Sequence, residues 1–152
     1  MEVANIEHKE HKMKDTLQVL VVDDENMITR VVKAILTKWG IPADNIICAH
    51  SLPEALEIIS SRSDLDLLIC DYNIPKGNEG GEIMDAAKKK SKATHVISIT
   101  GAPGNIPDIR ERHRPDFVLE KPFGMDTLLK AVEECAQAIT GVVVTTTQES
   151  AA

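Results

Sequence analysis

Five side chains in this sequence combine into one piece of chemistry: the neighbours Asp23 and Asp24, then Asp71, Thr100 and Lys121. Each closes a short apolar run: VLVV runs into Asp23-Asp24, LLIC into Asp71, ISI into Thr100 and FVLE into Lys121. Three carboxylates brought together repel one another, and the crowding is tolerable when a hard cation or an ammonium neutralises it. Magnesium suits such a set, because it takes one or two carboxylates, keeps several waters and binds phosphate oxygens. An aspartate beside that ion can attack phosphorus to give an acyl phosphate. The developing charge on the phosphoryl oxygens then calls for a hydroxyl donor and a cation, which Thr100 and Lys121 supply.

For these groups to meet, the elements carrying them must end at one place. Leu17 to Val22 reads as a strand buried on both faces. Met27, Ile28, Val31, Val32, Ile35, Leu36 and Trp39 recur at helical spacing, and Gly40 stops that helix. Ile46 to Ala49 is a second strand; Ser51 then offers an N-cap, Glu54 completes a capping box and Pro53 sits in the first turn. Leu65 to Cys70 is a third strand. A Pro/Gly-rich loop from Ile74 to Gly81 leads to a helix over about Glu82 to Lys90. Val96 to Ile99 and Phe117 to Leu119 are the fourth and fifth strands, separated by a stretch in which Pro103 and Pro107 allow only a short helix. An amphipathic helix from about Met125 to Ile139 closes the series. Strict alternation of strand and helix predicts right-handed βαβ units, hence an α/β fold with a parallel sheet covered on both faces. In such a sheet ligands bind outside the carboxyl ends of the strands, where the five residues stand.

Each residue also has a plainer reading. Asp24 could cap the helix starting near Glu25, and Asp71 could open the turn that Pro75 and Gly77 continue. Thr100 could be a loop hydroxyl and Lys121 a surface charge. The coincidence of all of them, each at the end of its own strand, favours convergence.

The segments VLVVDDE, LLICDYNIP, ISITGA and LEKPF resemble the motifs of the two-component response-regulator receiver domain, the CheY-like family, over about residues 17 to 139. The resemblance implies a doubly wound (βα)5 flavodoxin-like fold, with a five-stranded parallel sheet of order 2-1-3-4-5 (an order for which CheY is itself a standing example). It implies that Asp23 and Asp24 are the acidic metal pair, Asp71 the phosphoacceptor, Thr100 the switch hydroxyl and Lys121 the ion-pairing lysine before a proline often held in cis. Asn73 matches the position whose backbone carbonyl ligates the metal, Mg2+. The implied partners are a sensor histidine kinase or phosphotransfer protein that donates the phosphoryl group and a downstream protein target. The implied activity is self-catalysed phosphotransfer and dephosphorylation, not turnover of a diffusible substrate.

Departures from the pattern sharpen this. Many receivers carry an aromatic switch residue three positions before the lysine; here it is Val118, and the aromatic Phe117 must face the other side of the strand. Gly77, Gly80 and Gly81 make a permissive loop beside Asp71. Haloacid-dehalogenase-type phosphatases share the Asp, Thr/Ser, Lys and magnesium set, but use a second acid two residues after the nucleophile, where this chain has Asn73. A receiver-like scaffold that works without phosphorylation is the other alternative.

Composition narrows the classes further. A length of 152 residues with 43% hydrophobic and 27% charged residues suits one globular domain. The net charge of −7 argues against direct binding to nucleic acid or an anionic membrane. Lys88, Lys89, Lys90 and Lys92 read as the solvated end of a helix. Cys48, Cys70 and Cys135 include no C-x-x-C pair, which fits a reducing, cytoplasmic setting. No signal peptide or nucleotide-binding glycine motif is visible, and a monomer or weak dimer is expected. Residues 1–16 read as a flexible N-terminal extension in which His8 and His11 could share a metal only if helical, and residues 140–152 as a tail with strand propensity at Val142 to Val144.

Overall fold

The computed structural model describes residues 13–75 and 77–141. The readings made for His8, His11 and the stretch after Gly141 lie outside them. Strands β1 (Val19–Val22), β2 (Ile46–Ala49), β3 (Leu67–Asp71), β4 (His95–Thr100) and β5 (Phe117–Glu120) form one sheet of order β2-β1-β3-β4-β5. Every pairing is parallel. They alternate with α1 (Asn26–Trp39), α2 (Leu52–Ser61), α3 (Glu79–Lys90), α4 (Ile106–Arg112) and α5 (Met125–Thr140). The expected order and fold are those observed.

Alternation along the strands divides the core into two layers. Val19, Val21, Ile69, Ile97, Ile99 and Leu119 face α1 and α5, where Val32, Leu36, Leu128 and Val132 meet them. Leu20, Val22, Leu68, Cys70 and Val96 face the other way, onto Ile59, Ile83, Met84 and Ile109. β1 and β3 are buried along their whole length, so their sequences are apolar at every position but the last of β3. Burying each large aliphatic side chain stabilises the fold by about 1.5–3 kcal/mol. Phe117 packs against the first layer and Val118 against the second, as strand alternation requires.

Local signals act as expected, with two differences of detail. Gly40 ends α1 at φ 133°, its N–H reaching the Leu36 and Thr37 carbonyls. Ser51 Oγ accepts from Glu54 N at 3.2 Å, but the Glu54 carboxylate returns to the N–H of His50, at 2.7 Å, not to that of the cap residue. Residues 13–16 are helical and docked: Met13 is buried in the first layer. The Lys14 ammonium lies 4.4 Å from the Trp39 ring centroid and donates to the Trp39 carbonyl at 3.1 Å, a cation–π contact and a helix C-terminal contact from one group.

The larger correction concerns the glycines after Asp71. α3 begins at Glu79, three residues earlier than periodicity suggests, so Gly80 and Gly81 lie buried in its first turn. A Cβ on Gly80 would fall on the Asp71 carbonyl oxygen and the Tyr72 Cα, and one on Gly81 would fall on the His113 ring. Close packing of α3 on the end of β3, not loop flexibility, accounts for both. Gly77 has open space around it and fits the loop reading.

Candidate functional site

The site is built where four strands stop. Asp23 follows β1, and its N–H continues the ladder to the Ala49 carbonyl at 3.2 Å. Asp71 is the last residue of β3, held by the Tyr72 N–H bonded to Ile99 O at 2.8 Å. Thr100 ends β4, and the Lys121 N–H donates to its carbonyl at 2.8 Å, bringing the end of β5 alongside. The Lys121-Pro122 bond is cis, as the resemblance implies, and so is Ile74-Pro75, for which the sequence carried no signal.

Asp23 is 1% exposed and Asp71 4%, whereas Asp24 is exposed. One carboxylate oxygen from each of the three lies within 4.8 Å of the others. Lys121 Nζ sits 2.8 Å from Asp23 Oδ2 and 3.4 Å from Asp71 Oδ2. The other Asp23 oxygen accepts the Glu25 N–H at 2.9 Å. Thr100 is joined to the group through Asn73: its hydroxyl is 2.9 Å from Asn73 Oδ1, and the Asn73 N–H reaches Asp71 Oδ1 at 3.3 Å. All six residues singled out from the sequence therefore meet at one edge of the sheet.

The plainer readings fare unevenly. The cap position of α1 is Glu25, which makes no side-chain cap bond, so Asp24 is not the cap. Asp71 does accept from Asn73, and the Thr100 hydroxyl does receive the Ala102 N–H at 3.0 Å, so both stabilise their turns as well. Lys121 is no free surface charge, being paired to a buried carboxylate.

The electrostatics leave the cluster short of positive charge. Burial, reinforced by the neighbouring Asp23 charge, pushes the Asp71 carboxyl up to about 6, although Lys121 and the Asn73 N–H pull it back. Burial works against the Lys121 ammonium too, but its hydrogen bond to Asp23 and the Asp71 charge reverse this and raise it overall. Three oxygen donors with one lysine fit a hard divalent cation, with Asp23, Asp24 and Asp71 as its side-chain ligands. The Cys70 thiol next to Asp71 is pushed well up by burial and by the two aspartates, so it is no nucleophile here.

The raised Asp71 value has a measurable consequence without divalent cation. Between about pH 4 and the folded value of about 6, the folded state holds a proton that the unfolded chain has released. Stability contributed by Asp71 is thus present at low pH and lost as pH rises through 6, a change of about 3 kcal/mol. Urea denaturation in chelator, comparing wild type with Asp71→Asn across this range, should show that difference; parallel curves would rule it out.

One feature beside the site escapes the sequence reading. Met27 is 74% exposed and Val31 48%, although both recur at the helical spacing of the other apolar residues of α1. With Ile28, Ile35, Pro122 and Phe123 they line an apolar cleft of about 570 Å³ that reaches Lys121. The signal was the width of the stripe: Met27 and Val31 form a second i, i+4 row outside the one that Val32 and Leu36 bury.

The family model of the response regulator receiver domain matches residues 19–133. A chemotaxis protein CheY homolog of Campylobacter jejuni is 29% identical over 121 residues, covering 78% of this chain and 91% of that protein. The two-component response regulator ORR8 of Oryza sativa is 29% identical over 90 residues, 59% of this chain and 71% of its own. Among solved structures, a CheY-like receiver domain protein of Methanospirillum hungatei superposes with a TM-score of 0.72 at 23% identity, over 84% of this chain and 98% of that one. Response regulator protein TrrA of Thermotoga maritima, solved with Mg2+ and BeF, gives 0.68 at 29% identity, over 78% and 98%. With its sheet order, its acidic cluster and a family match over most of its length, the chain belongs to the response-regulator receiver family of two-component signalling.

Proposed function

We propose that Asp71 accepts a phosphoryl group from a phosphohistidine of a sensor kinase or phosphotransfer protein, in a reaction that depends on Mg2+ at Asp23, Asp24, Asp71 and the Asn73 backbone carbonyl. The observation that carries this reading is the convergence of the Asp71 carboxylate with two more carboxylates and Lys121 at the carboxyl edge of the sheet. An Asp71 oxygen forms the new bond to phosphorus as the phosphorus–nitrogen bond breaks, and the imidazole leaves with that electron pair. At neutral pH Asp71 is mostly ionised and available as the nucleophile. Lys121, already between Asp23 and Asp71, is placed to follow the added charge, close to −2 at the phosphoryl group. Thr100 is the hydroxyl donor for a phosphoryl oxygen. Magnesium, when bound, neutralises the carboxylates and the phosphoryl oxygens together.

Receivers of this family interact with histidine kinases or phosphotransfer proteins and with downstream targets in general. The apolar cleft at Met27, Val31 and Phe123 opens beside Lys121, and we infer that the phosphodonor protein docks there. The reaction is self-catalysed and slow to turn over, since Asn73 leaves no second acid to activate water, and output runs through protein contacts in the cytoplasm.

Incubation with acetyl phosphate and Mg2+ should add one phosphoryl group per chain, labile to base and absent in chelator. Asp71→Asn should abolish it. An undiminished mass gain in that variant, or none in the wild type, would sink the assignment.

A further inference from the structure

Thr100 is wholly buried, and its hydroxyl is already occupied. It lies 2.9 Å from Asn73 Oδ1 and 3.2 Å from the Ala102 carbonyl, and receives the Ala102 N–H at 3.0 Å. A hydroxyl has one proton to give. Given to the shorter contact, Asn73 Oδ1, it is withheld from anything on Asp71. The main chain on both sides is held by the sheet, with Asp71 opposite Ile99 and the Tyr72 N–H on Ile99 O at 2.8 Å. Asn73 therefore straddles the site: its own N–H is on the Asp71 carboxylate, and its side chain is on the group that a phosphoryl oxygen would need.

We propose that Asn73 is a positioning residue that latches the unphosphorylated protein: its side-chain oxygen holds the Thr100 hydroxyl, and a phosphoryl group on Asp71 must take that proton away from it. The proposal rests on the reading of Asp71 as the phosphoacceptor. The exchange breaks no covalent bond; one hydrogen bond, Thr100 to Asn73, is replaced by Thr100 to a phosphoryl oxygen. The amide suits a releasable latch, because a neutral acceptor loses to a doubly charged phosphoryl group. A carboxylate at the same place would hold the hydroxyl far more tightly. Release frees the β3–α3 loop from the end of β4, so the two loops change together without an aromatic residue at position 118.

The test uses the full chain with labelled threonine methyl groups and beryllofluoride with saturating Mg2+ as the phosphoryl probe. In Asn73→Ala, without probe, the Thr100 methyl resonance should move toward its position in the beryllofluoride-saturated wild type. The probe should bind about 2- to 12-fold more tightly, since one neutral hydrogen bond no longer opposes it. Asn73→Asp, which keeps the acceptor, should leave the free-state resonance in place; this is an effect that a merely structural role for the side chain would not produce. An unmoved methyl with equal or weaker binding in Asn73→Ala overturns the latch, while a probe response that Asp71→Asn abolishes keeps the acceptor reading intact. A wild type without any beryllofluoride response overturns the acceptor reading itself.

Discussion

Lys121→Met should destabilise the metal-free protein by about 3–5 kcal/mol at pH 7, the usual cost of removing one partner from a buried ionic group. The substitution keeps the aliphatic stem and deletes the ammonium, so lost packing contributes little. Left behind are Asp23 and Asp71, 1% and 4% exposed, with no cation between them. The effect should depend on pH in a known direction. Asp71 already holds its proton up to about pH 6, and without Lys121 it must hold it higher still. Protonation relieves the repulsion, so the loss shrinks as pH falls toward 5 and grows above 6. Saturating Mg2+ should recover part of it, because a cation then shares the same carboxylates. Urea denaturation at both pH values, with and without Mg2+, measures all three effects. A loss below about 1 kcal/mol at pH 7 in chelator would mean that the two carboxylates do not depend on Lys121. Phosphoryl transfer to Asp71 should slow by roughly 10²- to 10³-fold, the range seen when one preorganised donor is removed from a developing charge.

The site was more legible in the sequence than its working contacts. Asp23-Asp24, Asp71, Thr100 and Lys121 close four apolar runs, and a parallel sheet turns four such endings into one place. Strand order came through the family motifs, since periodicity carries no information on which strands are neighbours. Hidden from the sequence was everything set by tertiary approach. Gly80 and Gly81 look like loop residues because glycine weakens helices, yet both stand in the first turn of α3, where a backbone and a histidine ring leave no room for Cβ. Met13 reads as part of a loose extension because one apolar residue makes no period; its side chain is buried in the first layer, and its neighbour Lys14 lies over Trp39. Met27 and Val31 matched the helical period but lie outside the buried arc. The family resemblance marks Asn73 for its main chain, while the contact of its side chain with Thr100 is set by the tertiary approach of β3 and β4.

Gly80→Ala carries the second large effect, and its sign sets two principles against each other. Inside a helix, alanine is favoured over glycine by about 0.8–1.0 kcal/mol, so propensity alone predicts a gain. The space argues the reverse. The added Cβ would overlap the Asp71 carbonyl oxygen, lie 2.5 Å from Tyr72 Cα and 2.7 Å from Tyr72 O, and all three are backbone atoms. A flexible side chain could swing aside, but these cannot, because the sheet holds them through the Tyr72 N–H on Ile99 O. α3 must then lift off the end of β3, straining the bond from the Gly80 N–H to Tyr72 O at 3.0 Å. Overpacking of this kind costs about 1–3 kcal/mol and at times more; with rigid backbone on the other side, a net loss of at least about 2 kcal/mol is expected. Gly77→Ala provides the contrast, since nothing lies within 4 Å of its Cβ, and it should be neutral or mildly stabilising. Because one of the crowded atoms is the Asp71 carbonyl oxygen, any part of the strain that reaches β3 should also lower the phosphorylation rate with acetyl phosphate, measured at a temperature where the variant is fully folded. Equal stability and equal rate for the two alanine variants would refute the close approach of α3 to the acceptor strand. A loss of stability with an unchanged rate would mean that helix α3 yields alone, leaving the acceptor where β3 and β4 hold it.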